Sequence, residues 1–161
     1  MIEIAGLNPG LVFIGRHDRE IVGYVTFHRP DPFTRWLGHT HILELGAIEV
    51  SPGWRRLNIG SALLTHAFFF PFLEKYIVVT TEYCWHWDLT GTNLDVWAYR
   101  DMLTALFKKV GLIVRPTDDA DIAEHPANVL MARIGALVSL ADEVAFDAML
   151  FDNKPSGASC R

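Results

Sequence analysis

The sequence predicts a mixed α/β fold with a largely antiparallel sheet flanked by helices. Strand-like segments come first in the chain, helical and strand-like segments alternate after them, and a helical segment stands last before the tail. The chain has 161 residues, of which 50% are hydrophobic. This size fits one domain with one hydrophobic core, and we assign residues 1–152 to that domain.

Two alternating segments at the start of the chain predict an antiparallel β-hairpin. Residues 11–15 and 20–28 are its strands, and a short polar segment over 17–19 separates them. A loop with two prolines follows. A third strand over 41–50 then ends abruptly at the turn sequence Ser-Pro-Gly over 51–53.

Helices and strands are predicted to alternate after this turn. Apolar residues at helical spacing predict a helix over 57–70, and a β-branched run predicts a central strand over 76–82. Two further strands are predicted over 112–115 and 129–134. A final helix follows them, with Ser139 as its N-terminal cap.

A capping box marks the start of the helix that follows the central strand. Thr92 and Asp95 have the spacing of that motif, so we expect a helix over 93–109 that is ended by Gly111. In this interpretation four apolar side chains face the core: Leu94, Ala98, Met102 and Ala105.

Composition and charge exclude several classes of protein. No segment reaches the roughly 20 uninterrupted apolar residues of a membrane-spanning helix, so we expect a soluble, cytoplasmic protein without a membrane partner. The net charge of -5 argues against a nucleic-acid partner. Cys84 and Cys160 stand far apart and outside any CxxC pattern, so no structural disulfide is expected.

The segment over 50–61, VSPGWRRLNIGS, carries the most chemical information because it turns a strand sharply into a helix. Free backbone N–H groups at a helix N-terminus point outward and the helix dipole favours negative charge, so main-chain atoms can hold a pyrophosphate there. Gly60 lets such a group approach closely. Arg55 and Arg56 either pair with phosphates or are solvated loop charges.

These residues resemble the pyrophosphate loop of the GNAT superfamily of acyl-CoA N-acyltransferases, which reads Arg/Gln-x-x-Gly-x-Gly/Ala after a strand. Here the loop begins at Arg55 and ends at Gly60. Asn58 stands where the family usually has its first glycine, and asparagine is the other residue that best tolerates left-handed backbone geometry. The family's other motifs follow in order, so the resemblance covers roughly residues 11–134.

Three further segments look like the acetoin-utilisation protein acetyltransferases: 43–50 (LELGAIEV), 82–88 (EYCWHWD) and 125–131 (HPANVLM). That branch acetylates a lysine of acetyl-CoA synthetase. The resemblance implies acetyl-CoA as cofactor, held by residues 44–61, and a regulatory transfer that removes the charge of the acceptor lysine. The residues expected to contact the cofactor are Ile48, Glu49, Val50, Arg55, Arg56, Leu57, Asn58, Ile59, Gly60, Ser61 and Asn93.

Direct transfer needs a group that accepts a proton from the attacking amine, because a free lysine has a pKa of about 10.4. Strand alternation places Glu44 on one face with Ile42, Ile48 and Val50, where apolar neighbours raise the pKa of the carboxyl and improve it as a base. The catalytic glutamate of the histone-acetylating branch matches Glu44. The alternative is that Glu44 hydrogen-bonds a neighbouring strand or pairs with an arginine. Glu49 is expected on the opposite face, in a structural role.

The general acid is harder to assign. The family commonly uses a tyrosine four residues before the glycine that ends the second helix, and Phe107 occupies that position here. Tyr99, His86 and Tyr83 are the candidate replacements, although each could serve packing alone. Water could also protonate the leaving thiolate, since a thiol with a pKa of about 8.5 needs little help.

Two other motifs admit a functional and a structural interpretation. The run Trp85, His86, Trp87 either lines a channel for the acceptor or for pantetheine, or forms a hydrophobic plug. His39 and His41 form a His-x-His pair, but the sequence offers no clear third ligand beside it, so we expect no metal site.

Only residues 1–10 precede the first hairpin, whereas the family starts with a strand and two helices that build one wall of the acceptor groove. We therefore expect that wall to be short or absent. Either a partner subunit completes the groove, as in a homodimer, or the chain is a non-catalytic acetyl-CoA sensor that contacts a partner protein. A third hypothesis is acetylation of a small amine, which predicts a compact pocket. Residues 153–161 are expected to form a flexible tail.

Overall fold

A computed structural model describes residues 2–151 and contains one six-stranded sheet in the order β1-β2-β3-β4-β6-β5. The strands are β1 (Gly10–His17), β2 (Glu20–His28), β3 (Ile42–Val50), β4 (Ile77–Glu82), β5 (Ile113–Val114) and β6 (Val129–Ile134). The helices are α1 (Ile2–Ala5), α2 (Ile59–Phe68), α3 (Leu89–Thr92), α4 (Val96–Lys108), α5 (Ala120–Ala123) and α6 (Leu140–Met149). Within these residues β3 and β4 pair in parallel, and the other neighbouring strands are antiparallel. The predicted fold class is confirmed.

Most elements lie where the hydrophobic pattern places them. The strand predicted over 129–134 coincides with β6, and Ser139 caps α6 by accepting a hydrogen bond from the backbone N–H of Asp142. Three helices were not predicted: α1, α3 and α5. Each has 4 residues, which is too short for an amphipathic repeat to appear in the sequence.

The predicted start of α4 is wrong. Thr92 ends α3, and Asn93 follows it in a left-handed conformation with a φ of 57°, which stops a helix. Asp95 is the true N-cap of α4, because its carboxylate accepts hydrogen bonds from the backbone N–H groups of Trp97 (2.9 Å) and Ala98 (2.8 Å).

The predicted core face of α4 is also wrong. Leu103 and Phe107 are buried, whereas Met102 is 40% exposed and Ala105 is exposed. Tyr99, Leu106 and Val110 pack beside the two buried residues. Leu94 lies before the helix and so cannot belong to its packed face. The face that packs contains Tyr99, Leu103 and Phe107, which are spaced four residues apart.

The sheet carries a different hydrophobic layer on each face. On one side, here called the α2/α4 face, side chains of β2, β3 and β4 pack against Leu63, Leu64 and Phe107. On the other side, the α6 face, Ile42, Ile77 and Val79 pack with Trp36 and Phe146. The rings of Trp36 and Phe146 lie 5.4 Å apart, which closes the α6 face over β4 and β6.

The parallel strands β3 and β4 separate partway along their length. Their register pairs are Ile42 with Ile77, Leu43 with Val78, and Glu44 with Val79. Beyond these pairs β3 continues to Val50 and β4 to Glu82 without further pairing between them. The Thr80 hydroxyl donates to the Leu45 carbonyl at 3.3 Å, and past this contact a gap opens in the middle of the sheet.

No helix within residues 2–151 has the length and hydropathy that a membrane crossing requires. Cys84 is a free thiol. The flexible tail predicted over 153–161, which includes Cys160, lies outside the described residues.

Candidate active site

The turn between β3 and α2 places two non-glycine residues in the left-handed region. Arg56 has a φ of 65°, and Asn58, the N-cap of α2, has a φ of 60° and a ψ of 17°. Asparagine tolerates this geometry better than other residues with a Cβ. Asn58 therefore adopts a backbone conformation that glycine also adopts readily.

The N-terminus of α2 has the features of an anion site. Within the described residues no side chain caps it, and its first turn carries no acidic residue. The N–H groups of Ile59, Gly60 and Ser61 precede the first helical hydrogen bond, which the Ala62 N–H donates to the Asn58 carbonyl. A Cβ added to Gly60 would lie 3.7 Å from Ile48 and Val50, so the packing of the protein itself does not require a glycine. These groups fit a pyrophosphate.

The two arginines of the turn have different environments. The Arg55 guanidinium donates to an oxygen of Asp88 at 2.7 Å and to the Val50 carbonyl at 3.3 Å. These hydrogen bonds connect the turn to the segment that follows β4. Arg56 is exposed, and its side chain has no partner within residues 2–151.

We expect Arg56→Ala to raise the KM for acetyl-CoA about threefold to tenfold while kcat stays unchanged, because an exposed guanidinium would contribute only to phosphate binding. Steady-state kinetics at low and high salt test this, since the effect should shrink as ions screen the contact. Arg19→Ala, an exposed arginine in the β1–β2 turn, is the control. An equal change in both variants would contradict a phosphate contact at Arg56.

Asn58→Val should lower both stability and CoA affinity, because a β-branched residue is strained at a positive φ by about 1–2 kcal/mol. Asn58→Gly should preserve both. Asp18→Val is a matched control, since Asp18 also has a positive φ (51°) but lies in the first hairpin. Thermal unfolding together with a CoA titration separates the two effects; weaker CoA binding by Asp18→Val would show that strain at Asn58 does not act through the site.

A β-bulge corrects the predicted faces of β3. Thr26 pairs with Ala47 and Phe27 pairs with Leu45, so Gly46 is an extra residue. The bulge shifts the alternation: Ile48 packs on the α2/α4 face with Leu43 and Leu45, while Ile42 packs on the α6 face. The expectation that Glu44 shares a face with Ile48 and Val50 is therefore wrong.

The same bulge moves Glu49 to the face of Glu44, opposite to our expectation. Glu44 and Glu49 are paired with His28 and Tyr24, which alternate on one side of β2. Burial raises the pKa of Tyr24, and the hydrogen bond and negative charge of Glu49 raise it further. Glu49 is exposed at the end of β3, and its carboxylate contacts Tyr24 of the neighbouring strand.

Glu44 lies at the point where β3 and β4 separate. Burial raises the pKa of its carboxyl, His28 lowers it and Asp31 raises it further. Within residues 2–151 the carboxylate accepts no hydrogen bond from a side chain or from the backbone. Among these residues it also forms no ion pair with an arginine, so the alternative of a strand contact or an arginine pair finds no support. A partly buried carboxylate without a partner can accept a proton.

A second carboxylate at this gap was missed in the sequence. Glu82 ends β4, and burial raises its pKa to about 7, while the Thr80 hydroxyl and the Trp87 indole limit the rise. The Thr80 hydroxyl lies 2.9 Å from a carboxylate oxygen of Glu82. The indole N–H of Trp87 is buried and forms no hydrogen bond of ordinary geometry. The sequence did contain a signal for this site, namely an acidic residue at the end of the buried strand IVVTTE.

The candidate acids lie at different distances from the gap. Tyr99 stacks on Trp87 with ring centres 5.2 Å apart, and its pKa is raised mainly by burial. Both residues pack against the core of the α2/α4 face. His86 is exposed, and its ring lies edge-on to those of Tyr83 (centroids 5.9 Å apart) and Trp85 (6.0 Å). Of the catalytic candidates, the structure brings Tyr99 near Glu82, whose charge raises the pKa of the phenol.

Some residues of the remaining motifs are packed or hydrogen-bonded, and others are exposed at the surface. Trp85 is 51% exposed and stacks on Tyr83, so the aromatic run presents one open ring and one packed ring, that of Trp87. His39 and His41 both contact Asp142 at the start of α6, through its carbonyl and its carboxylate respectively. Asn93 is exposed in the turn before α4.

Comparison with known proteins assigns this architecture to a family. The model of the acetyltransferase (GNAT) family matches residues 1–84. The chain belongs to this family. It is 49% identical to the acetoin utilization protein AcuA of Bacillus licheniformis over 96% of the chain and 74% of that relative, and 46% identical to AcuA of Bacillus subtilis over 94% and 73%.

Solved structures agree with this GNAT assignment. The crystal structure of an acetoin utilization protein from Exiguobacterium sibiricum superposes with a TM-score of 0.89 at 47% identity, over 93% of this chain and 72% of that one. A ribosomal-protein-alanine N-acetyltransferase from Brucella melitensis shares the fold, with a TM-score of 0.54 at 16% identity over 79% and 70% of the two chains. The chain is an acetyltransferase related to AcuA.

Proposed function

We propose that this GNAT protein transfers the acetyl group of acetyl-CoA directly to a lysine of a protein, and that the acceptor is acetyl-CoA synthetase. The observation that carries the proposal is the position of Glu44, the last β3 residue paired with β4. Beyond Glu44 the strands β3 and β4 are unpaired. This gap connects the α2/α4 face of the sheet with the opposite face, on which Glu44 lies. Acetyl-CoA held at the N-terminus of α2 would then meet an amine from the opposite side.

The turn and first helical residues supply the cofactor contacts in this proposal. Backbone N–H groups of Ile59, Gly60 and Ser61 would hold the pyrophosphate, and Arg56 would add a charge. The unpaired edge of β3 from Ile48 to Val50 would offer backbone groups to the pantetheine amides. Acetyl-CoA, when bound, supplies an activated acyl group.

Glu44 is the base in this proposal. Because its pKa is raised, its carboxylate binds a proton more firmly than an exposed glutamate does, which favours removal of the proton from a lysine ammonium. The negative charges of Asp31 and Glu44 also attract the cationic acceptor and concentrate it at the gap.

The surface beside Glu44 suits a protein acceptor better than a small amine. The loop that carries Asp31 exposes Phe33 (98%) and Leu37 (59%), and Trp85 is exposed beyond the end of β4. Open apolar and aromatic side chains of this kind are typical of protein-binding surfaces. The chain is similar to acetoin utilization proteins, and a protein-lysine acceptor is what the resemblance to that branch implies.

Incubation of the purified chain with acetyl-CoA and acetyl-CoA synthetase tests the proposal. We expect thiol release, one acetylated lysine in the synthetase by mass spectrometry, and loss of synthetase activity. A free polyamine in place of the synthetase is the control for a small-amine enzyme. CoA binding without acetyl transfer to either acceptor would favour the sensor hypothesis, and absence of CoA binding would overturn the proposal.

A further inference from the structure

We propose that Glu82 is the general acid that protonates the sulfur of CoA as it leaves. This inference rests on the proposed function, since it assigns a role within the same acetyl transfer. Phe107 stands where the family commonly has its acid, and it is completely buried and has no proton to donate. The reaction must therefore find its proton on another group or in water.

Glu82 lies on the side of the sheet from which CoA would enter. Thr80 and Glu82 alternate with Val79, whose side chain packs on the α6 face, so both face α2 and α4. Glu44, on β3, faces the other way. The two carboxylates thus stand on opposite faces at the same gap, as a base for the amine and an acid for the thiolate require.

The hydrogen-bond geometry at Glu82 can accommodate a protonated carboxyl, which burial favours. The Thr80 hydroxyl lies within hydrogen-bond distance of two acceptors, the Leu45 carbonyl at 3.3 Å and a Glu82 oxygen at 2.9 Å, but it has one proton. If Glu82 is protonated, its O–H donates to Thr80 and the Thr80 hydroxyl donates to Leu45. Glu82, Thr80 and the Leu45 carbonyl are then linked by two hydrogen bonds, whereas an ionised Glu82 and the Leu45 carbonyl compete for the single proton of Thr80.

Few charged groups act on this carboxyl. Trp87 contributes a buried indole N–H without a partner of ordinary geometry, and the charge of Glu82 contributes to the raised pKa of Tyr99 on α4. Asp88 and Arg55, which also act on Tyr99, are paired with each other at 2.7 Å. Glu82 keeps partial solvent access, so it can recover a proton after each turnover.

The step balances in protons and electrons. The lysine ammonium gives one proton to Glu44, and the neutral amine forms a bond to the acetyl carbon. The nitrogen then gives a second proton to solvent and becomes the amide N–H. The carbon–sulfur bond breaks with its electron pair on sulfur, and the Glu82 O–H gives its proton to that sulfur, which leaves as the CoA thiol. Solvent then returns a proton to Glu82 and removes one from Glu44. A carboxyl whose pKa lies near neutrality is suited to a thiol with a pKa of about 8.5.

The first test is the pH dependence of kcat in Glu82→Gln. An acid acts only when protonated, so the native enzyme should lose kcat as the pH rises above about 7. Glu82→Gln should lower the maximal kcat about tenfold to a hundredfold and abolish this loss. Thr80→Val should keep most of the activity and move the loss to higher pH, because the hydroxyl that lowers the pKa of Glu82 is gone.

A second readout does not depend on turnover. The thiolate of bound CoA absorbs ultraviolet light, so a pH titration of the complex measures the pKa of the thiol. An ionised Glu82 nearby should raise that pKa, and Glu82→Gln should lower it; Glu44→Gln, on the other face, should leave it unchanged. An active native enzyme with the same pH profile and thiol pKa in Glu82→Gln would overturn this inference alone. A native chain that binds no CoA would overturn the proposed function as well.

Discussion

Glu44→Gln should lower kcat for acetyl transfer by about a hundredfold to ten-thousandfold, the usual contribution of a general base. The substitution keeps the shape of the side chain and removes its ability to take a proton. The carboxylate accepts no hydrogen bond within residues 2–151, so no network is broken by the change. We therefore expect the melting temperature and the CoA dissociation constant to stay close to those of the native chain.

The loss should also depend on pH. At high pH a larger fraction of the acceptor lysine is already neutral, so the base matters less and the two rates should converge. Glu143→Gln, in the first turn of α6, is the matched control. Steady-state rates across pH 6–10 with saturating acetyl-CoA measure the effect. A rate for Glu44→Gln within about twofold of native at pH 7 would show that water alone accepts the proton.

Glu82→Gln should make the protein more stable at pH 8 while it impairs catalysis. Burial raises the pKa of Glu82 from 4.5 to about 7, so the folded state binds more protons than the unfolded state between these values. Stability is therefore lost as the pH rises through this window, and the loss is complete above it. The raised pKa corresponds to at most about 3 kcal/mol, and partial solvent access reduces this to about 1–2 kcal/mol.

Urea unfolding at pH 4 and pH 8 separates this effect from a change in packing. The difference between Glu82→Gln and the native chain should be about 1–2 kcal/mol at pH 8 and close to zero at pH 4, where the native carboxyl is protonated in both states. Glu74→Gln should behave in the opposite way, because hydrogen bonds from Ala136 and Arg133 lower the pKa of Glu74. A pH-independent difference for Glu82→Gln would contradict a raised pKa.

The fold class and the sharp turn between β3 and α2 could be predicted because both depend on local sequence. Alternating and helical patterns report which side of an element is buried, and the strand over 129–134 was placed without error. The left-handed backbone at Asn58 follows from steric limits on a single residue. The same local reasoning failed at α4, where two polar residues three apart fit a cap at either position and hydrogen bonds chose Asp95.

What the sequence by itself determined is therefore the class of fold, the turn that suits a pyrophosphate and the presence of Glu44. Only the tertiary structure decided how the carboxylates are arranged. The bulge at Gly46 arises from pairing with β2, and it reversed the faces of Ile48 and Glu49. Glu82 became a candidate acid only when β4, Thr80 and Trp87 surrounded it, because the pKa of a carboxyl depends on burial and neighbours that are distant in the chain.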